Sequence, residues 1–414
     1  MSDGVEYILS TCNEALQTSV FLTDSTPDSG NILKTYKNGG VAVNNTLQQI
    51  GDDFILIAEQ KKPLLHMWPI NNEQPTKNVK LILPEPASVL AVSPNNHYLA
   101  AGIVSKLYIW HLPSGRLLSV QQKHVLPITC IKFSENNGFL VTACQTGMLV
   151  TYRFGELISG NNSHLAQSEI GQVEPLYILK DHSAAIVGLH IGNFEIESRL
   201  VTISNDHTCR LYNLITGNCL LQIIHQEQLA SVIFDTPCWN LFIGTNSGAI
   251  YQYNLQNPPR TMSVHADMEE NCKLKFEGHE RRITCLDLNI TNEILVSGSD
   301  DYSVIVWNIS SRQQLNKIVH RGAITNVKFL TNNKNLFVHN FIPKFKVQSL
   351  KRNIESQLWN CEISIVEEGD DRDEDCEFVF EEAEIGKLQQ HLYNTKVINK
   401  QLYSALLTLN ENRN

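Results

Sequence analysis

Residues 278–309, GHERRITCLDLNITNEILVSGSDDYSVIVWNI, carry His279, Ser299, Asp301 and Trp307 within one short stretch. Histidine, serine and aspartate are the parts of a nucleophilic relay, in which the imidazole takes the hydroxyl proton and the carboxylate holds the imidazole. Such a relay also needs an exposed nucleophile and donors for an oxyanion, and the surrounding sequence offers neither. The same groups have a second chemistry. Buried between strands they satisfy one another, where a buried polar group left unpaired costs about 1–3 kcal/mol. The indole N–H of Trp307 needs an acceptor, and an aspartate can fix a tight turn between strands. Which of the two His279 and Asp301 serve depends on the elements that hold them.

Other chemistry finds little support. There is no phosphate-binding GxxxxGK[ST] motif, no HExxH and no pair of carboxylates attributable to a site. The 10 cysteines are scattered singly from Cys12 to Cys376, without the two-residue spacing of a zinc or redox motif. Most sit in apolar runs such as ITCIKF and ITCLDL, as small buried hydrophobes in a reducing compartment do. His225 and His265 lack companions at ligand spacing and read as packed or solvated. Neither a metal nor a cofactor is expected, and the reading is not an enzyme.

The elements that position these residues repeat. LVSGSDDYSVIVWNI (295–309) aligns without gaps with LVTISNDHTCRLYNL (200–214), LFIGTNSGAIYQYNL (241–255) and LVTACQTGMLVTYRF (140–154). LAAGIVSKLYIWHL (99–112) and, more weakly, LIAEQKKPLLHMWPI (56–70) fit the same frame. The aromatic end-points Trp68, Trp110, Tyr152, Tyr212, Tyr253 and Trp307 are 42, 42, 60, 41 and 54 residues apart. A base period near 41 or 42 is the length of a four-stranded propeller blade. Short β-branched runs broken by turns such as SPNN (93–96) and SENNG (134–138) agree with strands.

With GH at Gly278–His279, DH at Asp181–His182, KH at Lys123–His124, WN at Trp307–Asn308 and YN at Tyr212–Asn213 and Tyr253–Asn254, the chain resembles the WD-repeat family. The resemblance implies a buried chain of His, Ser or Thr, Asp and Trp inside each complete blade. It assigns His182, Asp206 and Tyr212 to one such network, and His279, Ser299, Asp301 and Trp307 to another. Most copies depart from it. Asp301 is matched by Asp206, but by Ser247, Thr146, Val104 and Lys62 elsewhere, so those blades must rely mainly on apolar packing.

The ends complete the architecture. EYILSTCNE, TSVFLTD and NILKTYKNGG read as three strands, and GAITNVKFLT (322–331) as an inner strand without local partners. Pairing them gives a seventh blade and leaves no open edge. NLFVHNF (335–341) and KFKVQSL (344–350) could add strands there, which would make an eighth or irregular blade. Insertions at 155–175 and 256–272 follow aromatic end-points and, by analogy with the family, emerge on one face, either as contact loops or as solvated ones.

The expected fold is thus all-β: a seven-bladed WD40 β-propeller over 1–352, an acidic linker over 353–380 and a coiled-coil helix over 381–410. Residues 362–384 hold 12 acids and one base, so of the chain's 43 acids and 33 bases the remainder keeps 31 and 32. A near-neutral body carries no basic stripe, which disfavours direct sequence-specific nucleic-acid binding. Ile385, Leu388, Leu392, Thr395, Asn399, Leu402, Leu406 and Leu409 follow alternating steps of three and four, a seam for a homodimeric coiled coil, a partner helix or docking on the propeller. No apolar stretch approaches a membrane span, and the N-terminus lacks a basic region with an apolar run, which points to the cytosol or nucleus.

The whole-chain layout further resembles the WD-repeat subunits of the rixosome, a complex that matures pre-60S ribosomal particles. That resemblance implies a non-enzymatic homodimeric scaffold in the nucleus, nucleolus and nucleoplasm. Its implied partners are helical-repeat rixosome subunits and, indirectly, the midasin ATPase and the pre-60S particle. The competing reading is a substrate receptor of a cullin-type ubiquitin ligase. A lipid-binding propeller would want a basic phosphoinositide motif, which is not found.

Overall fold

A computed structural model describes residues 6–354 apart from 15–17, 25–31, 78, 160–171, 194–197, 257, 260, 267–273, 331–334 and 339–340. The seam from Ile385 to Leu409 and nearly all of the expected linker lie outside the described residues.

Strands β1 (Tyr7–Cys12), β2 (Thr18–Asp24) and β3 (Ile32–Lys37) open the chain as an antiparallel meander. Blade 1 follows with β4 (Gln48–Ile50), β5 (Phe54–Ala58), β6 (Leu64–Pro69) and β7 (Leu81–Ile82). Blade 2 has β8 (Val89–Val92), β9 (Tyr98–Ile103), β10 (Lys106–His111) and β11 (Arg116–Gln121). Blade 3 has β12 (Ile128–Phe133), β13 (Phe139–Cys144) and β14 (Leu149–Arg153), then a short helix α1 (Phe154–Ser159) and β15 (Tyr177–Leu179). Blade 4 has β16 (Ile186–Ile191), β17 (Arg199–Ser204), β18 (Thr208–Asn213) and β19 (Cys219–Ile224). Blade 5 has β20 (Leu229–Phe234), β21 (Asn240–Thr245) and β22 (Ile250–Asn254), and after an excursion containing β23 (Ser263–His265) closes with β24 (Leu274–Phe276). Blade 6 has β25 (Ile283–Leu288), β26 (Ile294–Ser299), β27 (Ser303–Asn308) and β28 (Gln314–Val319). Last comes β29 (Ile324–Phe329).

Blade 7 joins both ends of the chain. Its strand order is β29-β1-β2-β3, with Ile8 opposite Phe329 and Ser10 opposite Val327. The seven sheets form a ring because each blade buries both faces. In every second strand of a blade the residues after the first are buried almost without exception, as the pattern iBBBBB of β13, β17, β21 and β26 shows. A strand covered on both sides reads as a continuous apolar run, which is why LVTAC, LVTIS and LFIGT repeat so clearly.

Seven apolar clusters each bridge two consecutive blades. Trp307 packs with Phe242 and Phe276 between blades 5 and 6, and Ile8 and Phe329 meet Val296 and Val306 between blades 6 and 7. Leu9 and Tyr36 meet Ile55 and Trp68 between blades 7 and 1, which seals the ring.

The described residues of 335–350 add no strand, so among the described residues there is no eighth blade. They run instead as a strap over the face that carries the first-to-second and third-to-fourth strand connections. The Lys34 ammonium donates to the Leu336 carbonyl at 3.0 Å, and the Phe345 N–H donates to Asp53 Oδ2 at 2.6 Å. The Lys351 N–H then reaches the Gly115 carbonyl at 2.7 Å. Three blades are spanned: 7, 1 and 2. Gly115, at φ +65, is required there, since a Cβ would stand 2.2 Å from the Ser349 carbonyl oxygen.

Both insertions join third strands to fourth strands, so they emerge on the same face as the strap. Neither is wholly a free loop. The first begins with α1, which buries Phe154 and Leu157. In the second, β23 pairs parallel with β19 as a fifth strand of blade 4, and Val264 and Ala266 enter the cluster between blades 4 and 5.

Candidate functional site: the blade ties

Blade 6 shows what the opening constellation does. Trp307 Nε1–H donates to Ser297 Oγ at 2.8 Å, and Ser297 Oγ lies 2.7 Å from His279 Nε2. On its other side, His279 Nδ1 lies 2.8 Å from Asp301 Oδ2. Oδ2 also accepts the Glu280 N–H at 3.2 Å, while Oδ1 accepts the Ser303 N–H at 3.0 Å and the Ser303 hydroxyl at 2.6 Å.

Burial alone would raise the Asp301 carboxyl, but hydrogen bonds from Ser303 and His279, then Glu280, hold it down to about 2. Burial lowers His279 more than Asp301 raises it. A neutral imidazole facing a carboxylate is consistent with the donors: Ser297 O–H gives to Nε2, and Nδ1–H gives to Asp301. Every member has its partner, and none is left to attack a substrate.

The serine inside this chain is Ser297. Ser299 stands outside it, accepting the Asp301 N–H at 3.1 Å and donating to the Arg281 carbonyl at 3.1 Å. Strand alternation puts both serines on one face of β26, so residue type and parity could not separate them. Their distance from the indole does, because Trp307 pairs with Leu295, two residues from Ser297 and four from Ser299.

Blade 4 repeats the arrangement with other residues. His182 Nδ1 is 2.9 Å from Asp206 Oδ2, and Nε2 is 2.8 Å from Thr202 Oγ1. Burial would raise Asp206, yet His182 and Thr208 hold it well below the usual carboxylate range. Tyr212 is buried at the aromatic position, but its hydroxyl is turned to Asp181.

The remaining blades keep parts of this chain. In blade 3, His124 Nε2 meets Thr142 Oγ1 at 2.8 Å, while Nδ1 has no partner among the described residues. Thr146 stands where an aspartate would and bonds the Cys144 thiol instead. His225 Nε2 meets the Tyr253 hydroxyl directly at 2.8 Å, and His320 meets Ser10 at 3.2 Å across the ring closure. In blades 1 and 2 the indoles leave their own blade, Trp68 donating to the Lys37 carbonyl and Trp110 to the Lys351 carbonyl of the strap, each at 2.9 Å.

His225, read as packed or solvated, is packed, and its tie to Tyr253, like the parts of His320, Ser297 and Thr202, escaped the sequence reading. One signal could have found the histidines. His124, His182, His225, His279 and His320 each stand four residues ahead of the first residue of an inner strand.

Seven blades, closed by the pairing of β1 with β29 and tied in five of them by histidines, define the class: a β-propeller. The family described as "WD domain, G-beta repeat" matches residues 270–308, which take in β24 and the first three strands of blade 6. Over most of its length the chain resembles WD repeat-containing protein 18. It is 28% identical to that protein of Danio rerio over 357 residues, 86% of this chain and 80% of the relative. The Homo sapiens protein of that name is 24% identical over 79% of this chain and 73% of its own length. Pre-rRNA-processing protein crb3/ipi3 of Schizosaccharomyces pombe is 26% identical, covering 81% of this chain and 80% of the relative.

Proposed function

We propose that this chain is a non-enzymatic scaffold subunit of a nuclear and nucleolar complex that processes pre-rRNA and matures the 60S subunit. One observation carries the reading. Similarity to WD repeat-containing protein 18 and to a protein named for pre-rRNA processing runs along about four fifths of the chain, well beyond the single matched repeat. The ties favour a scaffold over an enzyme: the His279 and His182 networks are internally satisfied and hold strands. Rigid blades then offer their rims to protein partners, here helical-repeat subunits of the same assembly, and through them the midasin ATPase and the pre-60S particle.

In this reading the propeller occupies 1–352, the acidic run 353–380 is a spacer, and the helix over 381–410 pairs two copies through the seam at Leu392 and Leu402. The test is purification of the tagged chain from cells, with parallel depletion. Pre-60S proteins and rRNA should co-purify, and depletion should accumulate pre-rRNA precursors. Recovery of cullin subunits without ribosomal precursors would overturn it.

A further inference from the structure

The seven inner strands leave a channel along the propeller axis, with a cavity of about 140 Å³. That is close to the roughly 150 Å³ that accepts one benzene-sized guest. Polar and apolar groups both line it, and four titratable side chains on it share one level. Lys132, His190, Asp287 and Lys328 are each the fifth residue of a six-residue inner strand, β12, β16, β25 and β29. Equal position in equivalent strands puts them at one height around the axis, and all four line the cavity.

The charges on this ring are unbalanced. Lysine ion pairs among the described residues involve Lys37, Lys62 and Lys275, and neither channel lysine. Lys328 Nζ donates to Gln48 Oε1 at 3.3 Å. Asp287 spends Oδ2 on the Phe329 N–H of the neighbouring strand, at 2.6 Å. Burial, then the like charge of Lys132, lowers the Lys328 ammonium to about 8, and Asp287 only partly opposes this. Burial, then Lys132, also holds His190 neutral. Its Nδ1 accepts the Phe234 N–H at 3.4 Å, so the proton sits on Nε2 as a donor on the channel wall. With both lysines protonated, the ring carries two positive charges against one negative.

We propose that this level of the channel binds one small phosphate-type oxyanion between the ammonium groups of Lys132 and Lys328, with His190 Nε2–H as a neutral donor. An oxyanion gains most where low-dielectric walls focus a net positive field. It would relieve the repulsion between the lysines, which a ring closed on itself by Asp287 would not need. The cavity has room for a phosphate group.

The experiment uses the full chain in phosphate-free buffer, titrated calorimetrically with inorganic phosphate and with phosphoserine, beside thermal melting. Inorganic phosphate should bind one per chain, at least tenfold more weakly in K132Q and in K328Q. Both variants should melt no lower than the parent without phosphate, since each removes one of two repelling charges. Should K328Q fail to fold, K132Q carries the comparison, because Lys132 is exposed to the channel. Phosphoserine binding as well as phosphate makes the ligand a phosphomonoester headgroup, while its failure to bind makes the ligand the free ion; both support the site. Absence of phosphate binding, equal binding by K132Q, or a lower melting point of K132Q without phosphate overturns it.

Discussion

Replacing Ser297 by alanine removes a single hydroxyl and unpairs two buried neighbours. Trp307 Nε1–H loses its acceptor at 2.8 Å, and His279 Nε2 loses its donor at 2.7 Å. Ser297 is fully buried and the indole nearly so, so water cannot replace either bond without opening the blade. At about 1–3 kcal/mol for each of the two buried polar groups left unpaired, S297A should cost roughly 2–6 kcal/mol. S299A should cost only about 1 kcal/mol, because the groups it frees, the Asp301 N–H and the Arg281 carbonyl, lie in connections that reach solvent. S297T keeps the hydroxyl, as Thr142 and Thr202 do at the matching positions of blades 3 and 4, and should stay within about 1.5 kcal/mol of the parent. The assay is urea unfolding, with the slope m compared so that a change in midpoint reads as stability. If S299A lowers the midpoint as far as S297A, or S297T is as damaging as S297A, the assignment of Ser297 to the tie is wrong.

Three further outcomes follow from the same geometry. G115A places a Cβ against the Ser349 carbonyl and forces a side chain to φ +65, so it should lift the strap, cost about 2 kcal/mol and speed proteolysis near residue 349; unchanged proteolysis would refute the strap's dependence on this glycine. Burial lowers His124 and His320 from 6.5 to about 4, so below pH 6.5 the unfolded chain takes up protons that the folded one refuses. Stability should be full above pH 6.5 and fall toward pH 4 by about 1.4 kcal/mol per pH unit for each histidine, and H124Q should shed one histidine's share of that slope in urea midpoints measured against pH. Introducing L392E and L402E together should give a folded monomer if the seam pairs two copies, and an unchanged mass by light scattering would remove the seam from the proposed assembly.

The sequence by itself determined the blade period, the repeated strands and the aromatic end-points, and it pointed to a seventh blade made from both ends while leaving an eighth open. Each of these follows from burying strands on two faces, and the hydrophobic pattern records that residue by residue. It also set His279 and Asp301 in one tie, since a shared turn keeps them close. What only the tertiary structure decided lies between segments far apart in the chain. Ser10 meets His320 across 310 residues, the strap takes the place of extra strands, and β23 crosses back to blade 4. Lys132, His190, Asp287 and Lys328 meet only because the ring closes at a fixed height for every inner strand. Local spacing is written along a chain, whereas which distant side chains share a level depends on how many blades close the circle and where each inner strand begins.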